Sequence, residues 1–172
     1  ADGKVLEKID FQFLASVLND IKKKGFEVVA VSLLHSYINP DHELKVRNYF
    51  HDHFNSIPIV LSHEVAPEWR EYERTSTTVI SAYITPIVKD YLHRLSKELL
   101  NKYLKVPVHI TQSNGGSMSS SQASEQAVQT LFSGPVGGVV GGKEVGRLIN
   151  QSNMICIDMG GTSFDVSLIR NG

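Results

Sequence analysis

Two strand-like segments flank a short glycine turn near the end of this chain. Residues 154–159 are apolar up to Asp158, and residues 164–169 alternate between apolar and polar side chains. An alternation with period 2 is typical of a β-strand that has two different faces. Residues 160–163, which read Gly-Gly-Thr-Ser, have the composition of a turn. The pattern predicts a β-hairpin, with one face formed by Phe164, Val166 and Leu168 and the other by Asp165 and Ser167.

The predicted hairpin turn has the composition of a phosphate-binding loop. Glycine admits backbone angles that let successive N–H groups converge on an anion, and Thr162 and Ser163 add hydroxyl donors. Asp158 and Asp165 are candidates to hold a magnesium ion or its waters, because Mg²⁺ combines a few carboxylates with phosphate oxygens. From spacing alone, an ordinary glycine-rich hairpin in a core sheet is an equally good interpretation.

Helical and strand-like patterns alternate along the rest of the chain. Asp10 is placed to cap a helix that Gly25 ends, and Asn39-Pro40 begins another. Short apolar runs at 28–34, 57–61 and 106–111 predict strands. Helices between short strands are typical of an α/β fold with a mostly parallel sheet and flanking helices.

Later helices carry their own signals. Ser119 and Gln122 have the spacing of a capping box. A long helical pattern from Val79 to Leu99 is interrupted by Thr85-Pro86, where the helix either kinks or begins anew with Thr85 as its cap. We expect a domain boundary within this helix or just after it, around Tyr103 to Val106, which gives domains 1–104 and 105–172.

Composition excludes several classes of protein. The chain has 172 residues, 41% of them hydrophobic, and a net charge of −1, so neither nucleic acid nor a membrane is an expected partner. The single Cys156 lies in a strand-like run and forms no internal disulfide, which fits a cytoplasmic location. The seven histidines show no metal-ligand spacing.

A second glycine cluster runs from Gly134 to Gly142. Several glycines in one helix need a reason, because each costs about 1 kcal/mol relative to alanine. Close approach of another backbone is the favoured reason for the later pair, Gly141 and Gly142. For residues 133–138, which include Gly137 and Gly138, a helix start that faces a nucleotide is an equal alternative.

Two loops are further candidates for binding. Asn114, Gly115 and Gly116 follow a predicted parallel strand, and ligands of open α/β sheets collect at such strand ends. A plain glycine turn with local hydrogen bonds from Asn114 is the alternative. His63 and Glu64 also follow a strand and could transfer protons or bind substrate, although most charged loops are simply solvated.

The hairpin and four earlier blocks together resemble the hydantoinase A/5-oxoprolinase family. The blocks, in family order, are residues 62–65, 70–78, 112–116 and 133–138, and with the hairpin they extend the resemblance over roughly Val28 to Ile169. Phe164 departs from the pattern, since the family more often has a small hydroxyl residue there. The resemblance implies partial ribonuclease H-like lobes of the actin-like ATPase superfamily.

The resemblance and the chain ends together predict a piece of a longer protein. The chain does not begin with Met, and Asn171-Gly172 is a turn signal with no returning strand. The family also carries an earlier phosphate hairpin that this sequence lacks. We expect the piece to span the end of a first lobe and the start of a second, to be inactive alone, and to expose apolar sheet surface compatible with dimers.

The resemblance implies ATP-dependent opening of a cyclic amide such as hydantoin, N-methylhydantoin or 5-oxoproline. ATP and Mg²⁺ are then the cofactors, and a hydantoinase B-type subunit is a partner. On this hypothesis residues 160–163 cradle phosphate and Asp158 is catalytic and orients magnesium or water, with Asp165 a weaker candidate. The other implied nucleotide contacts are Asn114, Gly115, Gly116, Gly137 and Gly138, and the substrate contacts are His63 and Glu64.

Two other functions stay open from the sequence. One is a subunit of a related ATP-dependent ketone carboxylase, whose motifs would look similar. The other is a non-catalytic nucleotide-binding or assembly module, in which the glycine-faced helix at 136–145 packs against another subunit.

Overall fold

A computed structural model describes residues 2–54 and 57–172 of the chain. Contacts divide it into two compact units, Ala1–Tyr91 and Leu92–Gly172, with the division inside one long helix. The helices are α1 (Phe11–Lys24), α2 (Asp41–His53), α3 (Ser62–Val65), α4 (Glu71–Asn101), α5 (Ser120–Glu125) and α6 (Ser133–Leu148). The strands are β1 (Val29–Val31), β2 (Ile59–Leu61), β3 (His109–Thr111), β4 (Ser117–Ser119), β5 (Met154–Met159) and β6 (Phe164–Ile169). No helix among the described residues is both long enough and apolar enough to cross a membrane.

The first unit is built on a parallel pair of strands, β1 and β2, with Ala30 opposite Val60. Helix α1 begins where predicted, because the Asp10 carboxylate accepts the N–H groups of Gln12 and Phe13. It ends at Gly25, which has the left-handed φ of 67° that glycine tolerates. The small core forms around Leu18 of α1 and Val46 and Phe50 of α2. An α/β arrangement of this unit is therefore confirmed.

The long helix α4 runs through Pro86 without ending. Thr85 does not begin a new helix, because its hydroxyl donates 2.7 Å to the Ser81 carbonyl one turn earlier. Of the two alternatives at Thr85-Pro86, a new helix that begins with Thr85 as its cap is therefore wrong.

Two antiparallel hairpins, β3–β4 and β5–β6, form the sheets of the second unit. The mostly parallel sheet predicted from the alternating pattern is therefore wrong for the described residues, in which β1–β2 is the one parallel pair. The physical reason is loop length: the turns at 112–116 and 160–163 are too short for a parallel crossover. The capping box of α5 is confirmed, with Ser119 and Gln122 each bonded to the other's backbone.

The alternation in β6 is confirmed, but its apolar face points to solvent. Phe164, Val166 and Leu168 are 59%, 60% and 73% exposed, together with Ile155 and Ile157 of β5. Asp165 and Ser167 line the side that faces α6. The expectation of exposed apolar sheet surface is thus met in this part of the chain.

The glycines of α6 divide into two classes. A Cβ on Gly142 would lie 2.3 Å from the Cys156 sulfur, and one on Gly146 would lie 2.7 Å from the Gln151 carbonyl oxygen. Close approach is therefore the reason for glycine at these two positions. Among the described residues, Gly137 and Gly141 face open space, so the structure shows no such close approach at Gly141.

We expect Gly146→Ala to destabilise the protein by about 1–3 kcal/mol, because the added methyl overpacks against a backbone carbonyl. Gly141→Ala is the matched control in the same helix, and it should stabilise by up to about 1 kcal/mol through helix propensity. Urea unfolding followed by circular dichroism measures both. Equal effects of the two substitutions would contradict the packing explanation.

Candidate functional site

The β5–β6 hairpin places two carboxylates directly opposite each other. Asp158 pairs with Asp165 one position before the last pair, Met159 with Phe164. Residues that face each other across an antiparallel pair have Cβ atoms about 4.5–5.5 Å apart, and like charges there repel. A bound cation would relieve this repulsion.

The turn between the strands is open. Gly160 donates its N–H to the Ser163 carbonyl at 3.1 Å, whereas the N–H groups of Gly161 and Thr162 have no acceptor within the described ranges. A Cβ on Gly160 or Gly161 would meet nothing within 4 Å. Neither glycine has a positive φ, so the turn does not use left-handed backbone. Glycine here keeps the backbone accessible.

A cavity of about 200 Å³ lies between this hairpin and the first half of α6. Its polar lining includes Asp158, Asp165 and Ser167, and Pro135 and Gly138 line it from the helix. The Cβ position of Gly138 lies 3.8 Å from the Asp158 carboxylate, so the helix backbone passes close to that oxygen. Two predicted nucleotide residues, Asp158 and Gly138, are thus brought together.

The carboxylates of Asp158 and Asp165 fit magnesium only if a phosphate supplies further oxygen ligands. In residues 2–54 and 57–172, no group of three or more His, Cys, Asp or Glu side chains could hold a metal. Asp158 and Asp165 supply two carboxylates, and Mg²⁺ usually takes one or two from the protein and completes its octahedron with phosphate oxygens and water. The pair therefore suits a magnesium–phosphate ligand and not a metal held by protein alone.

The loop at Asn114–Gly116 joins β3 to β4 and does not follow a parallel strand, which corrects the prediction. The Asn114 side chain accepts the Gly116 N–H at 2.8 Å, and Gly115 has a φ of 86°. A Cβ on Gly115 would lie 3.0 Å from Val140 of α6. These contacts show that Asn114, Gly115 and Gly116 form a turn that packs on α6. The contact of these residues with a nucleotide stays a prediction.

A separate polar cluster lies in the first unit, around Glu43 of α2. Glu43 is fully buried. Its Oε1 accepts the Ser62 hydroxyl at 2.6 Å and the Leu33 N–H at 2.9 Å. Its Oε2 accepts His63 Nδ1 at 2.7 Å and the His63 N–H at 3.1 Å. Four donors thus converge on one carboxylate.

Arg74 of α4 completes the same cluster. This side chain is 1% exposed, and its Nε donates 3.1 Å to the Ser62 hydroxyl. Its terminal nitrogens donate to the carbonyls of Leu33 and Glu68, at 2.9 and 2.8 Å. The Ser62 hydroxyl therefore links a buried guanidinium to a buried carboxylate, and both charges are satisfied by hydrogen bonds.

The predicted pair His63 and Glu64 is not a hydrogen-bonded pair. His63 Nε2 lies 3.9 Å from Glu64 Oε1, and that oxygen instead accepts Arg47 at 2.7 Å. The partner of His63 is Glu43, which the sequence prediction missed. The available signal was the position of Glu43 three residues before Val46 and seven before Phe50, on the buried face of α2.

The hydrogen bonds around Glu43 control its ionisation. Burial raises its pKa, but the bonds from Ser62, His63 and Leu33 outweigh burial and hold the pKa of the carboxyl below its ordinary value. A lowered folded-state pKa stabilises the fold above the unfolded pKa of about 4.3, and this contribution disappears as pH falls through the folded value.

We therefore expect the free energy of unfolding to fall as the pH is lowered from about 5 towards 3, and to fall less steeply in Glu43→Gln. Chemical unfolding at several pH values measures both slopes. Glu73→Gln, at an exposed side chain, is the control and should keep the wild-type slope. Identical slopes in wild type and Glu43→Gln would show that Glu43 is not the responsible group.

Comparison with known families adds independent observations. The chain matches the Hydantoinase/oxoprolinase family model over residues 74–172, and the Hydantoinase/oxoprolinase N-terminal region over residues 1–54.

Three curated relatives illustrate the range of the similarity. The match to caprolactamase subunit alpha of Pseudomonas jessenii covers 100% of this chain at 32% identity. The match to the acetone carboxylase beta subunit of Xanthobacter autotrophicus covers 89% of this chain at 34% identity. The match to 5-oxoprolinase of Saccharomyces cerevisiae covers 98% of this chain at 34% identity. The chain spans 25%, 22% and 13% of the lengths of these relatives.

A solved structure agrees with these relatives. The nucleotide-free structure of acetone carboxylase matches 93% of the chain with a TM-score of 0.81 and 32% identity, and the chain covers 23% of the matched chain. The first family model covers more than half of the sequence. The chain belongs to the hydantoinase/oxoprolinase family.

Proposed function

We propose that the protein containing this chain opens a cyclic amide, such as hydantoin, N-methylhydantoin or 5-oxoproline, at the expense of ATP. The observation that carries the proposal is the hairpin, in which two opposed carboxylates stand beside an open Gly-Gly-Thr-Ser turn with unused N–H groups. The relatives named 5-oxoprolinase and caprolactamase support a cyclic amide as the substrate class.

The chemistry explains the requirement for ATP. A ring amide is a poor electrophile, and phosphorylation of its carbonyl oxygen creates a leaving group and activates the carbon towards water. Phosphoryl transfer depends mainly on positioning and on neutralising charge. Within the turn at 160–163, Gly161 and Thr162 would donate free N–H groups, and Thr162 and Ser163 hydroxyl groups, to phosphate oxygens. Asp158 would hold magnesium directly or through water, with Asp165 in a weaker role. Bound magnesium supplies positive charge against the phosphate oxygens.

Other residues of the hypothesis act beside the hairpin. Gly138 keeps the α6 backbone close to Asp158, and Gly137 leaves open space on the same helix, so both are proposed to border the nucleotide. Relatives named as caprolactamase subunit alpha and acetone carboxylase beta subunit support a partner, for which we propose a hydantoinase B-type subunit. The proposed location is the cytoplasm.

The second candidate is a subunit of an ATP-dependent ketone carboxylase. The similarity to the acetone carboxylase beta subunit and to the acetone carboxylase structure favours it. The assembly-module alternative is weaker, because Gly142 of the glycine-faced helix already packs against this chain's own Cys156.

A substrate panel separates these functions. The full-length protein is incubated with ATP and hydantoin, N-methylhydantoin, 5-oxoproline, caprolactam or acetone with bicarbonate, and ADP and organic products are measured. Ring-opened product formed with ADP supports the proposal. Carboxylated ketone supports the second candidate, and substrate-independent nucleotide binding without turnover supports an assembly module.

A further inference from the structure

We propose that the first unit contains a binding site for a small zwitterion, a molecule that carries an ammonium group, a carboxylate and an apolar body. The site is a cavity that the N-terminal segment forms with the loop between β1 and α2. Every residue that lines it lies between Asp2 and His42, within one unit, and none belongs to the hairpin. The inference goes beyond the proposed function, because it concerns binding of a ligand and not ATP-dependent chemistry.

The cavity has the size and the place of a ligand site. Its volume is about 540 Å³, and small-molecule sites typically occupy about 300–1,000 Å³. Residues 2–7 line it together with Leu34, His35 and Asn39 of the loop and His42 of α2. The loop follows β1 at the carboxyl end of a parallel pair, where ligands bind in open α/β sheets.

The N-terminal segment is held in place on both sides of the cavity-lining residues. The Asn39 side chain donates from Nδ2 to the Gly3 carbonyl at 2.7 Å, and its Oδ1 accepts the Asp41 N–H at 3.1 Å. Gly3 has a φ of 75°, and a Cβ there would lie 3.1 Å from the Ile38 side chain. Farther along, Ile9 packs against the hydrophobic core. The cavity is therefore a formed part of the fold.

The lining carries charges of both signs that have no internal partner. Asp2 and Glu7 are acidic, Lys4 is basic, and His35 and His42 add imidazole rings. Among residues 2–54 and 57–172, the charged ends of Lys4 and Glu7 have no hydrogen-bond or ion-pair partner, and neither imidazole makes a hydrogen bond. These groups are available to a ligand.

The two signs select the class of ligand. An ion of one sign would meet a like charge in the same small cavity, which disfavours its binding. A molecule with a carboxylate for Lys4 and an ammonium group for Glu7 satisfies both and makes charge-assisted hydrogen bonds at each end.

Apolar side chains form much of the remaining lining. Val5, Leu6 and Leu34 contribute to it, and Leu6 and Leu34 are 92% and 75% exposed. A methylene chain placed against them would remove apolar surface from water and so favour binding. The ligand that fits is an amino acid whose two charged groups are joined by several methylene groups.

The proposed function would supply ligands of this class. Opening a cyclic amide breaks its C–N bond and leaves an amine and a carboxylate on one molecule, so a ring-opened lactam is such an amino acid. This link to the product rests on the proposed function, whereas the site itself does not.

Three probes test the site by isothermal titration calorimetry of the full-length protein without nucleotide. ε-Aminocaproate carries both charges, caproate only the carboxylate and hexylamine only the ammonium group. We expect ε-aminocaproate to bind at least about tenfold more tightly than either of the others, because each of them lacks one charge-assisted hydrogen bond. No binding of ε-aminocaproate, or equal affinity for the three probes, would overturn the proposal.

Two substitutions at exposed residues locate the binding. Lys4→Met should weaken ε-aminocaproate by at least about tenfold and remove its advantage over hexylamine, and Glu7→Gln should remove its advantage over caproate. Lys8→Met, at an exposed lysine that does not line the cavity, is the matched control and should bind like wild type.

The remaining outcomes separate this site from the hairpin chemistry. Binding that Lys4→Met and Lys8→Met leave at the same strength would place the ligand elsewhere and overturn the proposal. The titration requires no turnover, so a full-length protein that opens no cyclic amide but binds ε-aminocaproate through Lys4 and Glu7 contradicts the proposed function alone.

Discussion

Asp158→Ala should lower the ATP-dependent turnover of the full-length protein by about 100-fold or more and leave the fold intact. The side chain is exposed at the end of β5, so its removal opens no core cavity. What is lost is the carboxylate for magnesium beside the phosphate turn, and removal of one such electrostatic contact typically costs about 10²–10³ in kcat. Steady-state ADP release under saturating ATP measures the effect.

Two further variants sharpen this prediction. Asp165→Ala should cost less than Asp158→Ala, since Asp165 is the weaker candidate on the opposite strand. Asp52→Ala removes an equally charged, exposed residue of α2 and should leave turnover unchanged. A normal rate in purified Asp158→Ala would show that the phosphate site lies elsewhere.

Local signals predicted much of the secondary structure. Asp10, Gly25 and the Ser119–Gln122 box act through neighbours within a few residues, and each has the predicted role. The β5–β6 hairpin also follows from period-2 alternation and a four-residue turn. Such features depend on short-range sterics and hydrogen bonds, which a sequence displays directly.

Long-range relations escaped prediction for a physical reason. Glu43 meets His63 twenty positions later, and Arg74 meets Leu33 forty-one positions earlier. A buried charge is tolerated only where distant donors or acceptors satisfy it, and no local pattern shows where those partners will be. The same holds for the direction of β3 and β4, because helices between strands suggested a parallel sheet, whereas the short turn at 112–116 makes this pair antiparallel.

The two candidate regions differ in the kind of order they show. The hairpin turn leaves N–H groups without acceptors and has open space beside its glycines, so its geometry is suited to a ligand. The Glu43 cluster satisfies all of its buried charge internally and leaves one ring nitrogen of His63 available. The first arrangement fits binding of an anion, and the second joins α2, α3 and α4 through buried hydrogen bonds.

Arg74→Met should destabilise the first unit by about 3–5 kcal/mol, the largest stability effect that we expect in this chain. Methionine fills similar space but donates nothing, so the carbonyls of Leu33 and Glu68 lose their partners and buried Glu43 loses the positive charge linked to it through Ser62. Breaking a buried charge arrangement by removing one member typically costs this much. Urea unfolding of the full-length protein, followed by circular dichroism, gives the difference in the free energy of unfolding.

Arg70→Met, at an arginine whose side chain is 60% exposed, is the matched control and should change stability by less than about 0.5 kcal/mol. Similar values for the two variants would mean that the hydrogen bonds of Arg74 do not hold α4 against α3 and the loop after β1.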